Sequence, residues 1–247
     1  MWNGAIFALQ FLTVLPIRKE IAWNAETARW AVRSFPLVGA LFGGLLVCQY
    51  TLFSEWVSPL FLSFWLLFFS VFFAGGLHAD GWMDCSDAYF SYRDIARRQE
   101  IMSDSRVGAF AVLSLFFLFG FRLVFMYETL PTLSWQELFF IPFLSRAFMA
   151  LLLLSTPLAK QTGMAAAFRA HVKKSERWGI GLFLALAFIS FFSLCLLLAM
   201  IVFFFAARSF IVKQFGGVTG DALGAFVEGS ETYLWFIMWL LHLFVMG

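Results

Sequence analysis

Five of the chain's six aspartates fall within 25 residues, at Asp80, Asp84, Asp87, Asp94 and Asp104, and the sixth, Asp221, sits in Gly216-Gly-Val-Thr-Gly-Asp221. A carboxylate beside hydrocarbon is costly, so such a cluster between apolar runs calls for a bound cation, an ion or proton path, or catalysis. At about 100° per residue, Asp80, Asp84 and Asp87 share one helix face within about 60°. Three negative charges there repel unless a cation or protons lie between them. Hard oxygen donors without a Cys or His set suit Mg²⁺, which takes one or two carboxylates together with substrate phosphates.

Other side chains extend the pattern. Arg106 ends the acidic segment and can fork onto phosphate oxygens. Gly216-Gly-Val-Thr-Gly before a helix start is a phosphate cradle in outline, with free N–H groups and a helix dipole facing an anion. Seven residues separate Asp221 from Glu228, placing them on one face, with Gly224 opening room beside them. His78, two residues before Asp80, is a candidate for substrate binding or proton transfer. Against this stands a plainer reading, a solvated loop whose aspartates cap helices. It accounts for Asp94, Glu100 and Asp104, whose Asp-Ser before an apolar run has the look of an N-cap. It accounts poorly for three acids on one face directly after an apolar run. Arg122 and Arg146 lie inside apolar runs and could neutralise acids there or reach an interface.

The elements that must hold these residues are membrane helices. The chain is 62% hydrophobic and 13% charged, with mean hydropathy +0.86, against roughly 25% charged in ordinary soluble domains. Lipid leaves helices or closed barrels, and the period-two alternation of barrel strands is absent. The expected fold is all-α, a single polytopic bundle of about six to seven spans. Candidate spans run from Phe35 to Phe53, Val57 to Leu77, Val107 to Tyr127 and Leu138 to Leu158. Trp2 to Leu15 is too short for a full span and ends at Pro16. Gly179 to Phe215 stays apolar for 37 residues and reads as a helical hairpin turning near Ser190–Ser193. A last helix becomes lipid-like from Tyr233 to Val245.

Lys and Arg concentrate at 18–33, 93–106 and 160–177, with Arg208 and Lys213 beyond; Ser54–Trp56 and Glu128–Glu137 carry none. The positive-inside rule makes the basic segments cytoplasmic and puts both acidic segments there too. A removable signal peptide is not expected, since no small-residue cleavage site follows the first apolar stretch. Cys48, Cys85 and Cys195 offer neither a disulfide framework nor a CxxC pair. A net charge of +2 says nothing about nucleic acid, and no nucleic-acid partner is expected.

Gly75-Gly-Leu-His-Ala-Asp-Gly-x-x-Asp-x-x-Asp87, Asp104-Ser-Arg-Val-Gly108 and Gly216-Gly-Val-Thr-Gly-Asp-x-Leu-Gly224 together resemble the cobalamin synthase family, the adenosylcobinamide-GDP ribazoletransferases. Phe11-Leu-Thr-Val-Leu-Pro-Ile17 and Phe35-Pro-Leu-Val-Gly39 match as well. Ala88 and Ala111 stand where the family usually or often has Gly. The resemblance implies an integral transferase of the cell inner membrane with its active site facing the cytoplasm. It would join adenosylcobinamide-GDP to α-ribazole or α-ribazole 5′-phosphate, with Mg²⁺ required, and release GMP.

On that reading Asp80, Asp84 and Asp221 are Mg²⁺ ligands, and Asp87 is a further ligand or the base. Asp84 and Asp87 are the catalytic pair; Arg106 and Thr219 contact phosphate; His78, Asp104 and Glu228 belong to the substrate site. A homo-oligomer is left open. The rivals are a cation-coupled transporter, which would favour mid-span acids and internal repeats, and another CDP-alcohol-type phosphotransferase. The latter expects an Arg after Asp-Gly-x-x-Ala that is missing here.

Overall fold

A computed structural model describes residues 1–173, 177–184 and 190–245, and all of these that form regular structure are helical apart from one isolated bridge. Among the described residues, four helices are long and apolar enough to cross a membrane: α2 (Ala25–Phe53), α6 (Ala109–Thr129), α7 (Trp135–Ser155) and α10 (Phe191–Phe215). A fifth crossing arises if α3 (Pro59–Phe73) and α4 (Leu77–Phe90), bent by 87°, count as one broken span. Four to five among the described residues agrees only roughly with the expected six to seven. The helix α1 (Trp2–Leu12) has 11 residues, a reach of about 16 Å, and packs on α2. α9 (Arg177–Leu184) is the described part of the first arm of the expected hairpin. Residues 185–189 and Lys174 lie outside the described residues. Ser190 N-caps α10 and accepts from the Ser193 N–H, so the chain does break where the turn was expected.

The single span expected over Val57–Leu77 is also corrected. α3 stops at Phe73, and Gly75 and Gly76 adopt φ of +65° and +71°, a left-handed turn that a Cβ disfavours. The chain leaves it nearly at right angles as α4, fourteen residues long, about 21 Å. α4 is short and polar and lies outside the four spanning helices. The Phe11–Ile17 stretch seals this elbow, with the Val14 N–H donating to the Phe73 carbonyl at 2.9 Å.

α7 is the buried centre of the bundle. Its closest neighbour is α2: a Cβ at Gly39 would lie 2.6 Å from the Pro142 carbonyl oxygen, and one at Gly43 would lie 2.4 Å from that of Phe139. Small residues four apart let two membrane helices touch backbone to backbone, which accounts for Gly39 in the Phe-Pro-Leu-Val-Gly stretch. α11 (Gly220–Val245) packs against α4, α6, α7 and α10. Its 26 residues reach about 39 Å, but its first half, with Asp221, Glu228 and Glu231, is too polar to face lipid.

Side-chain and backbone contacts order the ends. The starts of α6 and α11, the ends of α4, α7 and α10, and the short α5 (Ile95–Ile101) meet at one end of the bundle. At the opposite end the Tyr50 hydroxyl donates to the Leu130 carbonyl, joining the far ends of α2 and α6.

Candidate active site

The site is built where α4 meets the start of α11. A Cβ at Gly81 would sit 2.5 Å from the Asp221 carbonyl oxygen; with none, the two backbones touch. That contact brings Asp221, 137 positions after Asp84, within electrostatic reach of the α4 acids. Burial first, then the charges of Asp80, Asp221 and Asp87, pushes the Asp84 carboxyl up to about 7. The one-face arrangement of Asp80, Asp84 and Asp87 is present: all three line a cleft of about 300 Å³, closed on its other side by residues 102–107.

Asp87 reaches the cleft but is already engaged. Its two oxygens accept from the backbone N–H of Gly108 at 2.6 Å and of Ala111 at 2.8 Å. These are orphan donors of the first turn of α6, so Asp87 caps a helix 21 positions away. Gly108 must lack a Cβ, which would fall 2.5 Å from the Asp87 oxygens. The expected cap, Asp104, does something else. It is bound by Arg106 through Nε at 3.0 and 3.1 Å, and Arg106 holds it near 2. Arg106 itself is 88% exposed, lining the cleft with its guanidinium on Asp104. Asp94 does cap α5, accepting from the Arg97 N–H, as the plainer reading expects.

Thr219 caps α11, its hydroxyl accepting from the Ala222 N–H at 3.0 Å. The Gly216–Thr219 loop is stitched to the chain after α7: the Val218 N–H donates to the Pro157 carbonyl at 2.8 Å and the Ala159 N–H to that of Val218 at 3.1 Å.

His78 and Glu228 lie away from the cleft, buried in the bundle. Glu228 accepts from Arg122 at 2.6 Å, where Arg122 is 2% exposed and also donates to the Glu228 carbonyl and to Thr232. Glu231 is paired with Arg146 and lies 3.4 Å from Arg122. Two arginines and two glutamates thus form a closed ionic layer, in which Glu228 neutralises Arg122 away from the cleft. His78 is 2% exposed and neither ring nitrogen has a partner among the described residues. Sequence reasoning left Arg122 and Arg146 open between neutralising an acid and reaching an interface; it missed Glu228 and Glu231 as their partners, and it treated Lys160 only as a topological charge.

Mg²⁺ fits this site by charge and donor type. The donors are carboxylate oxygens, and their mutual repulsion favours a cation between them. Among the described residues no three Asp, Glu, His or Cys side chains stand ready-assembled as a metal centre. Mg²⁺ needs no such cage, since it keeps water and substrate oxygens in its shell.

The profile of the family described as cobalamin-5-phosphate synthase matches residues 4–239. A relative from Geobacillus sp. (strain WCH70), named adenosylcobinamide-GDP ribazoletransferase, is 55% identical, covering 99% of this chain and 98% of its own. One of the same name from Geobacillus thermodenitrificans is 52% identical over 100% and 99%, and one from Acinetobacter baumannii (strain ATCC 17978) is 32% identical over 93% and 94%. No solved structure gives a significant match. The motifs that line this cleft or pack against α4 beside it fall within the matched region, and the chain belongs to the cobalamin-5-phosphate synthase family of membrane enzymes.

Proposed function

We propose that this cobalamin synthase transfers the adenosylcobinamide phosphate unit of adenosylcobinamide-GDP to α-ribazole or its 5′-phosphate, with Mg²⁺, releasing GMP. The observation that carries the reading is the Gly81–Asp221 backbone contact, which brings Asp221 within electrostatic reach of Asp80 and Asp84 beside a cleft, in a chain of this family. A ribose hydroxyl oxygen bonds to the phosphorus that bears the corrinoid side chain. The bond from that phosphorus to the bridging oxygen breaks, GMP leaves with the electron pair, and the hydroxyl proton passes to a carboxylate of the cluster.

Asp80, Asp84 and Asp221 would hold Mg²⁺, which when bound supplies positive charge to the diphosphate oxygens. Asp87 orients the start of α6 and so fixes the 102–107 segment. Arg106 swings from Asp104 to the phosphates, an exchange of one anion for another on the same guanidinium. About 300 Å³ matches the lower end of small-ligand pockets. It suits the diphosphate and a sugar, while the corrinoid stays outside.

We place the site end at the cytoplasmic face of the cell inner membrane. The reading is supported by Arg93, Arg97, Arg106, Lys160 and Lys213 at that end and by the absence of Lys or Arg between α2 and α3 and between α6 and α7. The buried Glu228 and Glu231 do not revive a coupled transporter, since both are matched by arginines.

The test is GMP release from adenosylcobinamide-GDP by purified protein in lipid vesicles, with and without Mg²⁺ and α-ribazole. Release that requires both is expected. Release without α-ribazole, or none at all, overturns the reading.

A further inference from the structure

One side of the cleft is a short segment between helices. Residues 102–106 form a strap between α5 and α6, fixed at its far end by the Asp87 cap. Its near end is held by a residue from a different part of the chain. The Lys160 ammonium donates to the Gln99 carbonyl at 2.9 Å and to the Ser103 hydroxyl at 2.8 Å. Ser103 in turn donates to the same carbonyl at 2.9 Å. Lys160 directly follows Pro157–Ala159, the segment stitched to the Gly216–Thr219 loop. One cation therefore links three site segments: the strap, the stitched loops, and, through its charge, Asp221. An ammonium on the last carbonyls of α5 is also where a helix dipole favours positive charge.

We propose that Lys160 is a positioning residue for the transfer reaction, tying the strap that carries Ser103, Asp104 and Arg106 to the loop that leads into Asp221. It acts through those groups, keeping the strap in register with the loop that leads into Asp221 while the diphosphate lies in the cleft. The inference rests on the proposed reaction for its catalytic readout and on geometry alone for its structural one. Misplacing a binding group by about 1 Å can cost up to about a hundredfold, so a loosened strap shows in the diphosphate substrate first. The α4–α11 contact at Gly81 does not involve Lys160, so the carboxylates keep their places.

The experiment compares wild type, Lys160→Ala, Lys160→Arg and Ser103→Ala in vesicles, with Lys173→Ala as an exposed control. Backbone hydrogen exchange is read without substrate at Met102, Ser103 and Asp104, whose N–H groups bond to Arg98, Glu100 and Ile101 carbonyls. Lys160→Ala should speed exchange there about tenfold, in the range of local opening, with partial recovery in Lys160→Arg and a smaller effect in Ser103→Ala. KM for adenosylcobinamide-GDP should rise about tenfold while the Mg²⁺ half-saturation stays put. Unchanged exchange in both Lys160→Ala and Ser103→Ala, or a Mg²⁺ requirement that worsens in step with KM, overturns the tether. Should wild type release no GMP, the proposed function fails while the exchange comparison still decides the tether.

Discussion

Gly81 and Asp221 touch backbone to backbone, with the Asp221 carbonyl oxygen 2.5 Å from where a Cβ at residue 81 would stand. The obstructing atom belongs to the main chain, so it cannot turn aside. Gly81→Ala must push α11 off α4 and part Asp221 from Asp84. Overpacking of this kind costs about 1–3 kcal/mol. Thermal unfolding in detergent should register the loss, and GMP release should fall further than stability alone explains. Wild-type turnover in Gly81→Ala would mean that Asp221 and the α4 acids need not share a site.

The carboxyl of Asp84, raised to about 7 from an ordinary 3.8, links cation binding to pH. An acid whose folded value is raised contributes stability below its unfolded value and loses it as pH rises through the folded one. Metal-free protein should therefore weaken between about pH 4 and 7, as Asp84 ionises among like charges. Mg²⁺ binds the ionised form, so its stabilising effect should be small near pH 5 and larger near pH 8. Calorimetric or fluorescence melting at both values checks this. Asp84→Asn should flatten the pH dependence and abolish GMP release while membrane insertion persists. An equal Mg²⁺ shift at both pH values would detach Asp84 from the cation.

Asp87 and Asp84 should separate in mutants. Asp87→Asn keeps one acceptor but sets an amide NH₂ against an N–H of α6, costing about 1–2 kcal/mol as a lost cap. Its Mg²⁺ half-saturation, read from the melting shift, should stay within about threefold, whereas Asp84→Asn should raise it at least about tenfold by the same measure. Equal loss of Mg²⁺ affinity in both would return Asp87 to the ligand set.

The pair Arg122 and Glu228 sits in the closed ionic layer. Removing one partner of a buried pair costs roughly 3–5 kcal/mol, whereas replacing both with apolar groups of similar volume is often neutral. Glu228→Gln or Arg122→Met should each lower melting, and Arg122→Met/Glu228→Met should recover much of it. A substrate role for Glu228 would show instead as a raised KM with melting unchanged.

How far the sequence could be read depended on whether a contact is local. α6 was expected over Val107–Tyr127 and spans Ala109–Thr129; α7 was expected to reach Leu158 and ends at Ser155. Thr156 precedes Pro157 and is extended, at φ −102° and ψ 142°, as a residue before proline prefers. The single-span reading of Val57–Leu77 failed because hydropathy does not register a left-handed turn at two glycines. The shared face of Asp80, Asp84 and Asp87 follows from helix period alone and was legible. Their distinct jobs were not, since the partners of Asp87 lie 21 and 24 positions away. Gly108 carried a faint signal, a glycine where α6 starts, but an N-cap search looks only at the residues just upstream. Glu228 was taken with Asp221 by heptad spacing; its partner Arg122, from a helix 106 positions earlier, is a pairing that no spacing announces.

The elbow at Ala74–Gly76 fixes more than direction. Because α4 begins immediately after it, the azimuth of the acidic stripe is indexed to the point where α3 stops. One residue inserted between Gly76 and Leu77 would spin that stripe by about 100° and advance it by about 1.5 Å. Asp84 would then turn its back on Asp221, and a bulkier side chain would take the berth of Gly81. The length of an apolar helix thus sets the angular phase of the polar one, so this joint tolerates a change of residue far better than a change of residue number.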